Sequence, residues 1–307
     1  MKQKILLIGG PTAVGKTSFG IKCAKLFDGE IISADCEQIY KTLDIGSAKA
    51  SKEEQSQAKH HLLDIKNPTE EFSVAEFKNL ASKIIDDLTN KNKLPIVVGG
   101  TGLYMQALLF PYSFCSSTKD DKIRQKYSKI LDEKGKDYLF AMLEKVDPES
   151  AKVLHKNDTK RVIRALEIFE QTGKKKSEQQ ENIKSEYDYK LIFLNDDRKS
   201  LYDRINYRVE KMMNDGLEQE VKNVISSGVS FDNQSMQGIG YREFRDYFDG
   251  KINKKQLIEK IQQDSRNYAK RQITWFKHRP NCIEVNISSL AEIENALNNI
   301  KDWIKEK

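Results

Sequence analysis

Short apolar runs alternate with helical spacing in the first third of the chain, and the same alternation returns in the last third. A run that is apolar or β-branched throughout predicts a strand buried on both faces of a parallel sheet. Apolar residues three or four positions apart predict helices between these runs, including one at Ser73–Leu88 that Ser73 and Glu76 open with a capping box. The strands are predicted at Lys4–Gly9, Glu30–Asp35, Leu94–Gly100, Lys190–Asn195 and Cys282–Asn286.

The strand pattern stops between Ser116 and Tyr189, where charged amphipathic helices are predicted instead. Pro148 at one helix start and Gly173 after one helix end are typical helix boundaries. The helices are predicted at Asp120–Leu131, Tyr138–Lys145, Pro148–His155 and Asp158–Gln171. An all-α segment within an α/β chain usually carries partner specificity. We therefore predict a core formed by residues 1–115 and 190–307, and a helical insertion domain at 116–189.

The segment GPTAVGKT after the first strand matches the P-loop pattern G-x-x-x-x-G-K-[ST], and a predicted helix follows it as that motif requires. Glycines at both ends allow successive backbone N–H groups to point at one phosphate, and the helix adds its positive end. The lysine supplies a cation, and the hydroxyl of Thr17 is the expected Mg²⁺ ligand. The predicted phosphate-binding residues are Gly10, Pro11, Thr12, Ala13, Val14, Gly15, Lys16 and Thr17. The fold class is therefore a P-loop NTPase-like parallel sheet with an all-α insertion.

Two polar residues follow other predicted strands at the same edge of the sheet, where ligands of α/β proteins bind. Asp35 ends the second strand, and it is a candidate general base, a second-sphere Mg²⁺ ligand or a helix cap. Thr101 follows the third strand and either contacts the ligand or caps its helix. No acidic residue ends that third strand, so the Walker B position is missing and ordinary Mg-ATP hydrolysis is less favoured.

Two arginines lie four residues apart in the helix predicted from Arg198, so they face the same way. Arg204 and Arg208 would suit a diphosphate through bidentate hydrogen bonds. Alternatively, they pair at the surface with Asp203 and Glu210.

Three other segments combine basic residues with aromatic or glycine residues, as nucleic-acid contacts do. They are Lys160–Phe169, Gln237–Phe244, where a turn is predicted to present Tyr241 and Arg242, and Lys270–Arg279 around Trp275. The alternative is that these charges are solvated and that Trp275 packs in the core.

Composition restricts the remaining possibilities. The 307 residues carry a net charge of +6, which is compatible with nucleic acid but also with a solvated lysine-rich surface. No apolar run approaches the roughly twenty residues of a membrane span, and no secretory leader is recognisable. The cysteines are too far apart to predict a zinc site or a disulfide framework: Cys23, Cys36, Cys115 and Cys282. We expect a cytoplasmic monomer.

Residues Tyr40–Lys59 form a polar segment that we predict to be a loop or lid over the site. His60, His61 and Asp64 follow it. Their spacing does not suit a helical two-histidine metal site, so we predict a structural role for them.

Seven segments occur in a fixed order from Lys4 to about Lys277: GPTAVGKT, ISADCEQIYKTLDIGSAK, HHLLDI, VGGTGLY, DTKRVIRALEIF, QGIGYRE and AKRQITW. Together they closely resemble the bacterial tRNA dimethylallyltransferases, also called tRNA isopentenyltransferases. The resemblance implies transfer of a dimethylallyl group from its diphosphate to the exocyclic amine of the adenosine just 3′ of the tRNA anticodon. It also implies tRNA and dimethylallyl diphosphate as partners, and Mg²⁺ as cofactor.

The resemblance further implies roles for particular residues. Asp35 would be the general base, Thr101 would help to position the substrate, and Arg208 would neutralise charge on the diphosphate. The adenine would leave its stack to reach the site, as in other base-modifying enzymes. The residues that match tRNA-contacting segments are Asp35, Cys36, Glu37, Gln38, Thr101, Arg124, Lys160, Arg161, Val162, Ile163, Arg164, Gln237, Gly238, Ile239, Gly240, Tyr241, Arg242, Lys270, Arg271 and Lys277.

The chain departs from the family pattern at Cys36, where serine is common, and at Lys277, where arginine is common. Three alternatives stay open. A small-molecule P-loop kinase would share the first hundred residues but would not use the helical insertion. An adenylate isopentenyltransferase would share the donor site, but the segments after Lys160 argue against a free nucleotide as acceptor. A nucleic-acid-binding module with a vestigial P-loop is disfavoured because Lys16, Thr17 and Asp35 are intact.

Overall fold

The computed structural model describes residues 2–110, 120–179 and 184–306. Its strands form one sheet in the order β3-β2-β4-β1-β5-β6, and every pairing is parallel. The strands are β1 (Lys4–Gly9), β2 (Gly29–Ser33), β3 (His60–His61), β4 (Leu94–Gly99), β5 (Asp188–Asn195) and β6 (Cys282–Asn286). The predicted P-loop NTPase-like sheet is confirmed.

The helices cover most of the remaining described residues. They are α1 (Lys16–Leu26), α2 (Lys52–Gln57), α3 (Val74–Asn90), α4 (Gly102–Leu109), α5 (Asp121–Val146), α6 (Pro148–Val153), α7 (Thr159–Thr172), α8 (Arg198–Asn214), α9 (Leu217–Ser226), α10 (Phe244–Phe248), α11 (Lys254–Lys277) and α12 (Leu290–Lys305). No described helix is both long and apolar enough to cross a bilayer.

Burial of the apolar strands explains why the sheet forms here. Strand β1 lies between β4 and β5, and its four residues from Ile5 to Ile8 are completely inaccessible to solvent. Removing each such side chain from water contributes about 1.5–3 kcal/mol. The strands end in glycine at the upper edge, where a Cβ on Gly9 would collide with Phe276 and one on Gly99 with the backbone of Ala34. Glycine therefore allows other segments to approach the edge where ligands bind.

The strand predicted to begin at Lys190 begins two residues earlier, at Asp188. The carboxylate of Asp188 accepts hydrogen bonds from Lys4 Nζ at 2.7 Å and from the Trp303 indole at 3.0 Å. These partners lie far away in the sequence, so local pattern could not locate this strand end. The start of α3 also differs, because Ser73 caps it as predicted while the Glu76 carboxylate lies 2.8 Å from Lys66 Nζ.

The segment predicted to be a lid is packed against the rest of its unit. It contains α2, and its side chains Tyr40 and Leu43 are fully buried. The Glu220 carboxylate of α9 accepts the consecutive backbone N–H groups of Asp44, Ile45 and Gly46 at 2.7–3.1 Å. A loop fixed by three such bonds is part of the scaffold, and the expectation of a lid is wrong.

The chain divides into two compact units, one comprising Met1–Leu109 with Glu186–Lys307 and the other Phe110–Ser185. The second unit contains α5, α6 and α7 around its own apolar core, which includes Tyr127, Leu143 and Leu166. Helix α5 is interrupted at Gly135, whose φ of 79° lies in the left-handed region, and this separates the two helices predicted there. The predicted boundary near residue 116 and Cys115 both lie outside the described residues.

Candidate active site

The P-loop connects β1 to α1 with a backbone that only glycine accommodates easily at two points. Gly15 has a φ of +93°, and a Cβ on Gly10 would collide with the carbonyl oxygen of Leu194. No side chain caps the first turn of α1, so its N–H groups remain available to an anion. Lys16 Nζ donates to the carbonyl oxygens of Gly10 at 3.1 Å and Pro11 at 2.7 Å.

Lys16 shares its surroundings with one anionic and one cationic side chain from other elements. Burial lowers the pKa of Lys16 to about 8, Asp35 opposes the shift, and Arg208 of α8 adds to it. Burial also lowers the pKa of Arg208, and Asp35 again opposes the shift. The ends of β1 and β2 and the middle of α8 therefore place two cations and a carboxylate around one space.

The second arginine of α8 does not join this group. Arg204 donates to the buried carboxylate of Asp196 at 2.5 Å, and Ser288 donates to the same carboxylate. Neither predicted alternative for this residue is correct, because its partner is Asp196 rather than Asp203 or a diphosphate. Only Arg208 of the pair lies beside the P-loop lysine.

Asp35 and Thr101 lie together at the ends of β2 and β4. Asp35 Oδ1 accepts the backbone N–H of Glu37 at 2.9 Å, an aspartate turn that fixes the carboxylate. Thr101 Oγ1 accepts the backbone N–H of Cys36 at 3.3 Å. Burial and the Asp35 charge raise the pKa of Glu37 to about 8, so its carboxyl is mainly protonated at neutral pH. The edge of the sheet thus carries both a donor-binding and an acid–base arrangement.

Helix α11 adds two residues that the sequence reasoning did not identify. Gln272 is 5% exposed; its Oε1 accepts the Thr12 N–H at 2.8 Å, and its Nε2 donates to the Gly100 carbonyl at 3.1 Å. It therefore ties the P-loop to the segment after β4. Tyr268, one turn away, interacts with Thr101. The available signal was the position of Gln272 on the apolar stripe of α11, between Ile261 and Phe276.

The predicted tRNA-contacting residues divide by exposure, each within its own unit. The exposed ones are Lys160, Arg161, Gln237, Arg242, Lys270, Arg271 and Lys277. The partly exposed ones are Asp35, Cys36, Glu37, Gln38, Thr101, Arg124, Ile163, Arg164, Gly238 and Ile239. The buried ones are Val162, Gly240 and Tyr241.

Two of these predictions require correction. The side chain of Val162 packs in the apolar core of its unit, because it faces the stripe that α7 presents to α5. Tyr241 is fully buried; its hydroxyl donates to Glu220 at 2.8 Å and accepts the Ser47 N–H at 3.1 Å. The turn therefore presents Arg242 but not Tyr241, and neither Val162 nor Tyr241 can reach an RNA through its side chain.

Trp275 falls between its two predicted alternatives. Phe276 is the aromatic residue in the core, stacked on Phe193 with ring centroids 5.6 Å apart. Trp275 is partly buried against Gly102, and the Arg279 guanidinium lies 4.0 Å from its ring centroid. This cation–π pair stays at the surface of α11, next to the exposed basic residues of the same helix.

The described residues contain no cluster of three histidine, cysteine or acidic groups that could hold a metal ion by itself. His61 Nε2 instead lies 2.7 Å from the Glu30 carboxylate. Mg²⁺ is commonly bound by one or two protein oxygens together with substrate phosphates and water. The Thr17 hydroxyl after the P-loop lysine and the Asp35 carboxylate fit that mode.

We expect the charge of Lys16 to make donor binding dependent on pH. Binding of an anion favours the protonated amine, so affinity is highest below the free-state pKa of about 8 and falls as pH rises through it. The decline approaches about tenfold per pH unit. The kcat/KM for the phosphorylated donor, measured from about pH 6.5 to about pH 9.5, checks this.

The matched variant for this pH series is Lys16→Arg, because a guanidinium stays charged throughout. The decline near pH 8 should disappear in it. An unchanged decline in this variant would assign the pH dependence to another group.

A P-loop whose cations face an acid–base residue, with no acidic residue at the end of β4, defines a phosphate-binding transferase type of site rather than an ATP hydrolase. The comparison with known families agrees, since the IPP transferase model matches residues 38–279. The chain belongs to the IPP transferase family.

Its relatives match over most of their own length. A tRNA dimethylallyltransferase of Bacillus cytotoxicus is 50% identical over 280 residues, which cover 91% of this chain and 88% of the relative. One of Bacillus cereus is 46% identical and covers 100% of this chain and 97% of the relative.

Solved structures give the same assignment. A tRNA isopentenylpyrophosphate transferase from Bacillus halodurans has a TM-score of 0.75 at 39% identity and covers 99% of this chain and 97% of its own. A eukaryotic dimethylallyltransferase, described as acting on tRNA, has a TM-score of 0.83 at 30% identity, covering 98% of this chain and 79% of its own.

Proposed function

We propose that this protein transfers the dimethylallyl group of dimethylallyl diphosphate to the exocyclic amine of the adenosine 3′ of the tRNA anticodon. The observation that carries the proposal is the grouping of Lys16, Arg208 and Asp35 at one edge of the sheet. The cations suit a diphosphate leaving group, and the carboxylate suits a proton acceptor. The relatives' names supply the tRNA and the allylic donor.

The donor half of the reaction follows from the P-loop. The backbone N–H groups of the loop and the first turn of α1 would hold the diphosphate, with Lys16 and Arg208 against its oxygens. As the bond from the allylic carbon to oxygen breaks, negative charge grows on the leaving group, and fixed cations stabilise it most where water is excluded. Thr17 and Asp35 would hold Mg²⁺, which neutralises further charge on the diphosphate.

The acceptor half requires a base. The lone pair of the adenine amine is delocalised into the ring, so the amine is a poor nucleophile until a proton is removed. The Asp35 carboxylate would take that proton while the new carbon–nitrogen bond forms and diphosphate leaves with the electrons of the broken bond. Thr101, fixed by the Cys36 N–H, would position the flipped-out base.

The exposed basic residues supply the RNA contacts in this proposal. Arg242, Lys270 and Arg271 in the sheet-containing unit, and Lys160 and Arg161 in the helical unit, are available to phosphates. These contacts distinguish the proposal from an adenylate isopentenyltransferase, which would need only a pocket for a free nucleotide. Phosphate contacts make affinity fall steeply with salt.

The experiment offers labelled dimethylallyl diphosphate with undermodified tRNA or with AMP as the acceptor. We expect label in tRNA and none in AMP, with transfer inhibited by raised salt. Label in AMP with none in tRNA would contradict the proposal and favour the nucleotide-modifying alternative.

A further inference from the structure

The helical unit contains a carboxylate that is completely shielded from solvent. Glu167 lies on α7 with 0% exposure, although the residue carries a charge that is costly to bury alone. Its pKa lies below the ordinary glutamate value; burial would raise it, but the hydrogen bonds from Arg124 and Arg164 more than offset that effect. Glu167 is therefore ionised at neutral pH and requires its partners.

The partners are arginines from two different helices. Arg124 of α5 donates from Nε to Glu167 Oε1 at 3.0 Å, and Arg164 of α7 donates from NH1 to Oε2 at 2.7 Å. The backbone N–H of Asp120 completes the set at 2.9 Å from Oε1. Each carboxylate oxygen thus holds one guanidinium, so the geometry of a single side chain fixes the spacing between the two cations.

Both arginines can still be reached from solvent. Their side chains are 37% and 30% exposed, whereas the carboxylate between them has no exposure. Two guanidiniums this close would repel each other and extend into water without the shared anion. The buried carboxylate therefore acts from beneath on a pair of cations at the surface.

We propose that Glu167 is a positioning residue that holds Arg124 and Arg164 in register for phosphate groups of the tRNA. This inference rests on the proposed function, which places both arginines among the RNA contacts. Two preorganised guanidiniums lose little conformational freedom on binding, so they contribute more to affinity than two mobile ones.

The sign of the expected effect separates this role from simple electrostatics. Glu167→Gln removes a negative charge, which by itself would tighten binding to a polyanion. The amide keeps an oxygen that can accept the Asp120 N–H but no longer attracts the arginines. We expect the tRNA KM to rise about tenfold, with kcat and the donor KM within about twofold, because only binding is affected. The slope of log affinity against log salt should become shallower by about 0.7–1.8, one to two phosphate contacts.

The chain offers a matched control on the same pair of helices. Glu170 of α7 pairs with Lys126 at 2.8 Å and with the Tyr127 hydroxyl at 2.7 Å, so Glu170→Gln breaks an α5–α7 ion pair without touching the arginines. It should leave the tRNA KM and the salt slope unchanged. Glu167→Asp, which keeps the charge, should recover part of the lost affinity.

A cycle with Arg124→Ala and Arg164→Ala completes the test. Once both arginines are absent, Glu167→Gln should have no further effect on the tRNA KM. An unchanged or lower KM in the single Glu167→Gln variant, or an equal loss in the arginine-free background, would overturn the positioning role while leaving tRNA transfer intact. Failure of the proposed function would be visible separately, as absence of transfer to tRNA by the unaltered protein.

Discussion

Replacing Asp35 with asparagine is expected to lower kcat by about 10²- to 10⁴-fold, the range that a general base usually contributes. Asparagine preserves the shape and can still accept the Glu37 N–H that fixes the carboxylate at 2.9 Å. It cannot take a proton from the adenine amine. The tRNA KM should change much less, since the backbone around the residue is kept. Single-turnover transfer with saturating tRNA and donor measures the effect.

The control is Asp28→Asn, at the opposite end of β2. Asp28 is exposed and lies 3.7 Å from Lys93, well away from the P-loop edge, so its substitution should leave kcat unchanged. Raised Mg²⁺ separates the two roles considered for Asp35, because added metal can compensate for a lost ligand but not for a lost base. A kcat within a few-fold of the unaltered protein at ordinary Mg²⁺ would show that Asp35 is not the base.

The second large effect is expected for Lys16→Ala, which should reduce kcat/KM for the donor by at least about 10²- to 10³-fold. The substitution removes the cation nearest the leaving diphosphate as well as its hydrogen bonds to the Gly10 and Pro11 carbonyls. Binding of tRNA should survive because the exposed basic residues are untouched. Transfer kinetics and a separate RNA-binding measurement test the two halves of this expectation.

Lys22→Ala is the appropriate comparison, because this lysine is exposed on the same helix, α1. It should behave like the unaltered protein. Equal loss of tRNA binding and transfer in Lys16→Ala would mean that the loop supports the whole fold rather than the donor. A thermal unfolding curve of each variant distinguishes these cases.

The sheet and the P-loop were predictable because both depend on local sequence. Buried parallel strands are apolar along their whole length, as in β1 and β4, and the glycine–lysine loop has a fixed spacing between a strand and a helix. The helices of the insertion were also predictable from Pro148, Gly135 and Gly173, which separate or end them. These are features that a short window of residues determines.

The pairing of side chains was not predictable because it depends on residues far apart in the chain. Tyr241 is buried only because Glu220 and Ser47 accept and donate at its hydroxyl. Arg204 is held by Asp196, which the turn before α8 brings beneath it. The role of Gln272 requires the P-loop and the end of β4 to meet. Helical spacing gives the face of a side chain but not its partner across the fold.

The central claim is that the P-loop holds an allylic diphosphate whose carbon is transferred to one adenosine of tRNA. The most direct measurement supplies the protein with tRNA, dimethylallyl diphosphate and ATP together. It quantifies diphosphate release, phosphate release from ATP and the position of the modified nucleoside by nuclease digestion and mass spectrometry. We predict one diphosphate released per dimethylallyl adenosine, located 3′ of the anticodon, and no ATP turnover. Hydrolysis of ATP without modification of tRNA would contradict the account.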